Sequence, residues 1–185
     1  MGPGDDADLL HRIRNGDPEA VAAVVDRYYP SLLNFAHRLG CSREDAEDVA
    51  QETLLKAARG LERYEHRERF RSWLFRIAAN AVRDHLKKAS VRREVVSDVE
   101  RLADRAAGGP SPEEVAVLDS VGRAVRTAVA ALPEPQRICL ILRYYHGFSI
   151  EEIATVVLCR RGTVKSRLHA ALRTLKEALA EVDEE

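Results

Sequence analysis

Two short helical patterns joined by a tight turn, in residues 149–176, constrain this chain more than any other segment. Ser149 and Glu152 have the three-residue spacing of a capping box, which predicts the start of a helix. On both sides of the turn, hydrophobic residues recur at three- and four-residue steps, and we expect them to face inward: Ile153, Val156, Val157, Val164, Leu168, Leu172 and Leu175. Such a pair is typical of a helix-turn-helix, whose second helix enters the DNA major groove.

The second of these helices is strongly basic. Residues 160–176 contain six Lys or Arg residues and no Asp or Glu. An amphipathic helix with a solvated basic face would have the same composition. The capped helix before the turn favours DNA binding, because it supplies the partner helix that a helix-turn-helix requires.

Charge is distributed unevenly along the chain, although the formal net charge is only −1. Residues 57–93 have a net charge of +7 and residues 160–176 of +6, whereas residues 1–56 and 94–120 each have −5. Charges farther apart than about 8 Å act nearly independently at physiological salt. The two basic blocks therefore predict two separate phosphate-binding surfaces.

Helical spacing of hydrophobic residues through most of the chain, without the alternation of strands, predicts an all-α fold. A Gly pair and two prolines in residues 106–112 interrupt the pattern, and Ser111, Pro112 and Glu114 predict a new helix start. A chain of 185 residues suits two small helical domains joined by a flexible linker. We place the first domain at residues 1–92, the linker at 93–112 and the second domain at 113–185.

The sequence lacks the patterns of a membrane span, a signal peptide and paired cysteines, which limits where in the cell we expect the protein. No apolar run approaches the roughly 20 residues of a membrane span, and the first residues are acidic, so we expect no membrane insertion and a cytoplasmic location. Cys41, Cys139 and Cys159 are odd in number and form no CxxC pair, which favours reduced thiols. His37 and Cys41 are four residues apart, but two ligands do not complete a zinc site. We expect ordinary helix packing there, and no metal or other cofactor.

An acidic helix is predicted at residues 44–55. Four apolar residues form its inward stripe: Ala46, Val49, Ala50 and Leu54. Ser42 has the position of an N-cap. Acids three and four residues apart repel by about 0.2–0.5 kcal/mol per pair, so their accumulation indicates an interface for a basic protein surface. The alternative is a solvated acidic face, and charge alone favours that interpretation.

Residues 62–88 interleave aromatic side chains with arginines. This pattern suits single-stranded DNA, where each base stacked on an aromatic ring contributes about 1–3 kcal/mol. Trp73 shares a helical stripe with Leu74, Ile77 and Ala81, which favours a core or pocket-wall position for the indole. A second face of the same helix is polar, and we expect it to contact the DNA strand: Asn80, Arg83, Asp84, Lys87 and Lys88.

Four segments resemble, in order, the extracytoplasmic-function (ECF, group 4) sigma factors of bacterial RNA polymerase: DAEDVAQE, FRSWLFRIAANAVRDHLKK, LPEPQRICLILRYYHGFSIEEIA and GTVKSRLHAALRTLK. The resemblance extends from about Asp8 to Lys176. It implies a σ2 domain, a flexible linker and a σ4 domain that together direct promoter-specific initiation without catalysing a reaction. The implied partners are core RNA polymerase and promoter DNA, both duplex and single-stranded. An anti-sigma factor is a further partner that the resemblance allows.

By position, the resemblance implies three functional surfaces. The docking set, expected on the clamp helices of the polymerase β′ subunit, is Asp45, Glu47, Asp48, Gln51, Glu52 and Leu55. The minus-ten set, expected to open the promoter and capture a strand, is Tyr64, Arg67, Arg69, Phe70, Arg71, Trp73, Arg76, Asn80, Arg83, Asp84, Lys87 and Lys88. The minus-thirty-five set, expected to read duplex DNA, is Arg160, Arg161, Thr163, Lys165, Ser166, Arg167 and His169. The σ4 domain is also expected to dock on the β flap.

Three residues depart from the usual family pattern. Relatives often have Leu-Gly-Cys-Pro through the turn, whereas this chain has Leu158 in place of the glycine and Arg160 in place of the proline. If the turn keeps a left-handed residue, that conformation costs about 1–2 kcal/mol at Leu158; the alternative is a turn of another shape. Ala170 stands where an arginine is frequent, which removes one expected DNA contact.

Two other functions are compatible with parts of the sequence. A helix-turn-helix regulator that is not a polymerase subunit would explain residues 149–176, and it would bind duplex DNA alone as a homodimer. A nucleic-acid hydrolase would require a metal-ligand cluster, a Gly-rich phosphate loop or a nucleophile motif, and the sequence has none of these patterns.

Overall fold

A computed structural model describes residues 3–64, 69–95, 122 and 124–180, and the regular elements in these ranges are all helical. In chain order they are α1 (Pro3–Arg14), α2 (Pro18–Arg38), α3 (Arg43–Gly60), a 3-10 turn (Leu61–Arg63), α4 (Phe70–Val95), α5 (residues 124–131), α6 (Glu134–Tyr144), α7 (Ile150–Val156) and α8 (Arg161–Ala180). The predicted all-α fold is confirmed. No helix in the described ranges is long and apolar enough to cross a membrane.

Helices α1–α4 pack together as an N-terminal bundle, with α3 lying against both α2 and α4. The Asp17 carboxylate caps α2 by accepting hydrogen bonds from the Glu19 and Ala20 amides. Ser42 caps α3 through the Asp45 amide, as the sequence predicted. Large apolar side chains from all four helices fill the interior, among them Leu10, Leu32, Phe35, Val49 and Leu74.

Helices α5–α8 form a C-terminal bundle that contains the helix-turn-helix. The predicted capping box is confirmed, because Ser149 Oγ accepts from the Glu152 amide at 3.2 Å and Glu152 Oε2 accepts from the Ser149 amide at 2.9 Å. The α5 and α6 side of α8 has a small core of its own: Leu132, Leu140 and Ala171, flanked by Val129 and Leu175.

The inward stripe of α8 differs from the predicted one at a single position. Val164 and Leu168 are buried, but Leu172 is 43% exposed and Ala171 takes the inward position. At 3.6 residues per turn, residues separated by steps of four, three and four stay on one face of a helix, and Val164, Leu168, Ala171 and Leu175 have this spacing. Two successive steps of four, from Val164 to Leu172, rotate the side chain away from that face. The prediction that Leu172 faces inward was therefore wrong.

The two bundles share one continuous hydrophobic core. Phe35 and Phe75 from the N-terminal bundle belong to the same buried cluster as Ile141, Phe148 and Ile153 from the C-terminal bundle. Helix α4 packs on α7, and α2 also contacts α6. Residues 96–112 of the predicted linker, and the helix start predicted at Ser111, Pro112 and Glu114, lie outside the described residues.

The turn of the helix-turn-helix contains a left-handed residue that is not glycine. Leu158 has a φ of 51° and is 71% exposed. This conformation costs an L-residue with a β-carbon about 1–2 kcal/mol. Of the two alternatives that the sequence left open, the turn keeps the left-handed residue rather than taking another shape.

We expect Leu158→Gly to raise the free energy of unfolding by about 0.5–1 kcal/mol. Glycine removes the β-carbon strain, at a smaller entropic cost in the unfolded chain, and the exposed leucine side chain loses little packing. Thermal unfolding followed by circular dichroism measures the effect. As a matched control, Leu172→Gly in the middle of α8 should lower stability by about 1 kcal/mol or more. An unchanged or lower stability of Leu158→Gly would contradict the prediction.

Candidate nucleic-acid interface

Most of the minus-thirty-five set lies on the solvent-exposed side of the helix-turn-helix, away from the buried Val164 and Leu168. Six of its members are exposed: Arg160, Arg161, Thr163, Lys165, Ser166 and His169. Arg167 is half-buried. A shallow groove runs along this side of α8, lined by Lys165, Ser166, His169, Ala170 and Arg173. The small side chain of Ala170 lies within this cationic groove, where a larger side chain would fill it.

Two cations of this surface are held by neighbours within the helix-turn-helix. The Arg161 guanidinium lies 2.5 Å from the Glu151 carboxylate. Arg167 Nη1 lies 3.8 Å from Cys159 Sγ, which brings the side chain across the turn. These contacts orient both guanidinium groups before any DNA is bound, whereas Lys165 extends from the exposed face of α8.

Helix α4 carries most of the minus-ten set. Its polar face is accessible as predicted: Asn80, Asp84, Lys87 and Lys88 are exposed, and Arg76 and Arg83 are half-buried. Asn80 Oδ1 accepts a hydrogen bond from Arg83 Nη1 at 3.2 Å, which links two members of this face. Arg67 lies outside the described residues.

The aromatic members of the minus-ten set form one cluster at the start of α4. Tyr64 and Phe70 are 7% and 5% exposed, so neither offers a free face to a base in this conformation. Trp73 is half-buried and packs against both, with ring centroids 4.7 Å from Tyr64 and 5.7 Å from Phe70. A β-carbon at Gly60 would lie 3.1 Å from Trp73 Cζ2, which shows how closely α3 approaches the indole. Trp73 is thus the one aromatic residue of this cluster with substantial accessible surface.

The docking set follows the outer side of α3. Ala46, Val49 and Ala50 are fully buried beneath it. Asp48, Gln51 and Leu55 are exposed, whereas Asp45, Glu47 and Glu52 are intermediate. The helix therefore presents carboxylates next to an accessible leucine, which gives the surface both charged and apolar contact area.

The carboxylates of α3 differ in their local partners. Glu52 lies 2.7 Å from Lys56 Nζ and 3.3 Å from His85 Nε2, and the hydrogen bond from Lys56 lowers its pKa. Glu47 lies 3.3 Å from Arg43. Among the residues that the structure describes, Asp48 has no ion-pair partner. It is therefore the carboxylate of this surface most available to an external cation.

Three arginines of the minus-ten set contact the C-terminal bundle. Arg69 Nη1 lies 2.8 Å from Glu152, and Arg83 Nε lies 2.6 Å from Glu134. Arg71 donates a hydrogen bond to the carbonyl oxygen of His146. No motif in the sequence indicated that Glu134, His146 and Glu152 are neighbours of these arginines. Each pair joins residues 51 to 83 positions apart, so no local spacing signals the contact.

Two family models match the chain. The model for sigma-70 region 2 matches residues 24–92, and the model for sigma-70 region 4 matches residues 122–175. The first match includes the docking and minus-ten sets, and the second includes the helix-turn-helix.

Curated relatives match over nearly the full chain. The RNA polymerase sigma-H factor of Pseudomonas aeruginosa is 35% identical over 181 residues, which cover 94% of this chain and 93% of the relative. The ECF RNA polymerase sigma-E factor of Escherichia coli K12 is 34% identical over 170 residues, covering 88% of each chain. The ECF sigma factor SigW of Bacillus subtilis is 26% identical over 179 residues, covering 94% of this chain and 96% of the relative.

Solved structures have the same fold. The sigma factor RpoE of Bartonella quintana, in complex with the anti-sigma factor NepR, matches with a TM-score of 0.69 and 28% identity over 86% of this chain and 96% of that one. CnrH in complex with the cytosolic domain of CnrY also has a TM-score of 0.69, over 94% of this chain and 96% of that one. Its 24% identity supports the fold alone.

Proposed function

This chain belongs to the ECF sigma factors of bacterial RNA polymerase, and from that membership we propose how its surfaces divide the work of promoter recognition. A sigma factor binds core RNA polymerase and directs initiation at specific promoters. Family membership favours this function over that of a regulator that acts without being a polymerase subunit. We assign DNA binding and polymerase docking to different helices because α4 and α8 each have a cationic surface, whereas the surface of α3 is acidic.

We assign duplex reading of the minus-thirty-five element to α8. Its exposed N-terminal residues are Arg161, Thr163 and Lys165, and the N-terminal part of a recognition helix contacts base edges in the major groove. Arg161 can reach guanine or phosphate, and the Lys165 ammonium suits phosphate oxygens. Buried Val164 and Leu168 fix the rotation of the helix so that these cations face outward.

Opening of the minus-ten element is assigned to α4. Its basic polar face can hold the backbone of a single strand, while Trp73 borders the place where a base would leave the duplex. Extruding a base costs a few kcal/mol of lost stacking, which the arginines and the aromatic wall must offset. Tyr64 and Phe70 have an indirect role in this proposal, because their rings pack against the Trp73 indole and hold it in place rather than stacking on a base.

Docking on the β′ clamp helices is assigned to α3, through the docking set defined above. Asp48 has an accessible carboxylate, and Leu55 adds apolar area at 58% exposure. Opposite charge on the partner would steer association and fix its orientation.

The same proposal includes the domain organisation. The first domain comprises residues 1–92 and the second residues 113–185, and residues 93–112 connect them. The second domain docks on the β flap.

The chain acts, in this proposal, as a cytoplasmic initiation factor without enzymatic activity and without a cofactor. The relative RpoE of Bartonella quintana was solved with an anti-sigma factor. We extend this kind of partner to the present chain, where an anti-sigma protein would hold it away from the polymerase.

Transcription in vitro tests the function directly. Purified chain and purified core RNA polymerase are incubated with a pool of genomic fragments from the native organism, and the transcripts are sequenced. We expect start sites that share upstream elements and that require both proteins. If no start site depends on the chain, the proposed function is refuted.

We expect Lys165→Gln to weaken duplex DNA binding and to reduce its salt dependence. Loss of one phosphate contact lowers the slope of log affinity against log salt by about one. The measurement uses the full chain and a fluorescent random-sequence duplex at several salt concentrations. Lys176→Gln is the matched control, because this lysine is exposed at a distant position of the same helix. An unchanged slope for Lys165→Gln would mean that its ammonium does not face the backbone.

A further inference from the structure

The last residue of α1 holds the backbone that follows α3. Arg14 Nη2 donates hydrogen bonds to the carbonyl oxygens of Leu61, at 3.2 Å, and of Tyr64, at 2.7 Å. These residues lie 47 and 50 positions further along the chain, so no local spacing indicates the contact. Arg14 precedes residues 24–92, which the family model for sigma-70 region 2 matches. It belongs to none of the docking, minus-ten and minus-thirty-five sets.

Both hydrogen bonds are made where the backbone needs a donor. The last carbonyl groups of a helix have no N–H partner within the helix. After α3 the chain makes the 3-10 turn Leu61–Arg63, and the Tyr64 amide donates to the Leu61 carbonyl at 3.2 Å. A cationic side chain at this end also interacts favourably with the helix dipole. Arg14 thus fixes the turn at its first residue and at the residue that follows it.

This turn lies directly against the Trp73 indole. The Tyr64 side chain is buried, and its ring centroid lies 4.7 Å from that of Trp73. Gly60 precedes the turn, and a β-carbon there would lie 3.1 Å from Trp73 Cζ2. The indole therefore contacts the chain on both sides of the turn. A shift of the turn would move both contacts, and with them the indole.

We propose that Arg14 is a positioning residue for capture of the minus-ten strand, because it fixes the turn after α3 and so holds Gly60 and Tyr64 against the Trp73 indole. This inference rests on the proposed function of α4. Arg14 acts through Trp73 and contacts no base. An aromatic wall that is already ordered loses little entropy when a base stacks on it, which leaves more binding free energy to offset base extrusion.

Arg12 provides a matched control on the same turn of α1. Its guanidinium lies 2.8 Å from the Asp17 carboxylate, a contact within the connection between α1 and α2. Arg12→Met and Arg14→Met each remove one positive charge and all the N–H donors of one guanidinium, while both keep an unbranched apolar side chain. Only Arg14→Met releases the turn beside Trp73. A difference between the two variants therefore does not come from net charge.

Fluorescence of Trp73 is the first measurement, because this residue is the only tryptophan of the chain. It reports on the indole in the full-length protein without polymerase or DNA. We expect Arg14→Met to increase acrylamide quenching and to shift the emission to longer wavelength, since the indole becomes more mobile and more solvated. Arg12→Met should match wild type, and circular dichroism checks that both variants keep their helices. Equal quenching in Arg14→Met and wild type would overturn the proposal.

Binding of a single strand by the holoenzyme is the second measurement. The probe is a fluorescent strand of about 12 nucleotides, a length typical of single-strand binding sites, copied from the non-template strand of a promoter that the wild-type holoenzyme transcribes. Arg14→Met should bind it about three- to tenfold more weakly, the cost of ordering one or two side chains on binding. Arg12→Met should bind as wild type does. Equal weakening in both variants would show that lost charge alone explains the effect, and the proposal fails.

A double-mutant cycle with Trp73 distinguishes positioning from direct contact. Trp73→Leu removes the stacking face, keeps an apolar side chain, and should weaken binding of the strand about fivefold or more. Arg14→Met should have no further effect when Trp73→Leu is present, because residues that act through one another are not additive. Full additivity of the two losses would mean that the guanidinium contacts the DNA directly, which overturns the positioning role.

Transcription separates this proposal from the previous one. A wild-type holoenzyme that starts no transcript refutes the proposed function, and the role of Arg14 in strand capture with it. An active holoenzyme whose Arg14→Met variant binds the strand as tightly as wild type refutes only the role of Arg14.

Discussion

Phe75→Ala is expected to lower the free energy of unfolding by about 3–5 kcal/mol, the cost of removing a phenylalanine from a packed core. The ring is fully buried and contacts Phe35 at 5.2 Å and Phe148 at 4.9 Å, so both bundles lose packing at once. A cavity at this point cannot collapse easily, because side chains from α2, α4 and the loop after α6 surround it. Urea unfolding followed by circular dichroism measures the loss.

Val21→Ala serves as the control for this measurement. Val21 is 46% exposed on α2 and lies outside the core, so its truncation should change stability by no more than about 0.5 kcal/mol. A loss of less than about 1 kcal/mol for Phe75→Ala would mean that the ring does not join the two bundles. Such a result would indicate that each bundle has its own hydrophobic core and that the two bundles do not share a continuous one.

Reversing the charge of Asp48, together with Gln51→Ala, is expected to weaken binding to core RNA polymerase by about 30-fold or more. An arginine at position 48 would repel the basic partner surface that the docking proposal requires, and such changes at a charged contact are typically this large. Titration of fluorescently labelled chain with purified core polymerase measures the affinity. Duplex DNA binding by α8 should be unchanged, because α3 lies in the other bundle.

Asp26→Arg is the matched control for the docking prediction. Asp26 is exposed on α2, outside the docking set, and the substitution makes the same change of net charge. It should leave polymerase binding within about twofold of wild type, since a remote surface charge is screened beyond a Debye length of about 8 Å. Equal loss for Asp26→Arg and the Asp48 variant would show that total charge governs binding and that α3 has no special part in it.

Local sequence signals predicted the elements of this fold well. The capping residues Ser42 and Ser149 appear where the sequence placed them, because a cap depends on a hydrogen bond within three residues. At Leu158 the sequence left two alternatives, a left-handed residue or a turn of another shape, and the structure has the left-handed residue. Leu172 was assigned to the wrong face, since it follows Val164 by two successive steps of four residues, which rotate it away from the buried face that Ala171 occupies.

The sequence by itself determined the all-α class, the helix-turn-helix and the two basic blocks, because these depend on residue type and on spacing along the chain. Only the tertiary structure decided that Tyr64 and Phe70 lie beneath Trp73, and that Arg69, Arg71 and Arg83 face the other bundle. The physical reason is that these contacts join residues far apart in the chain. Their formation depends on how whole helices pack, and no short motif encodes that packing.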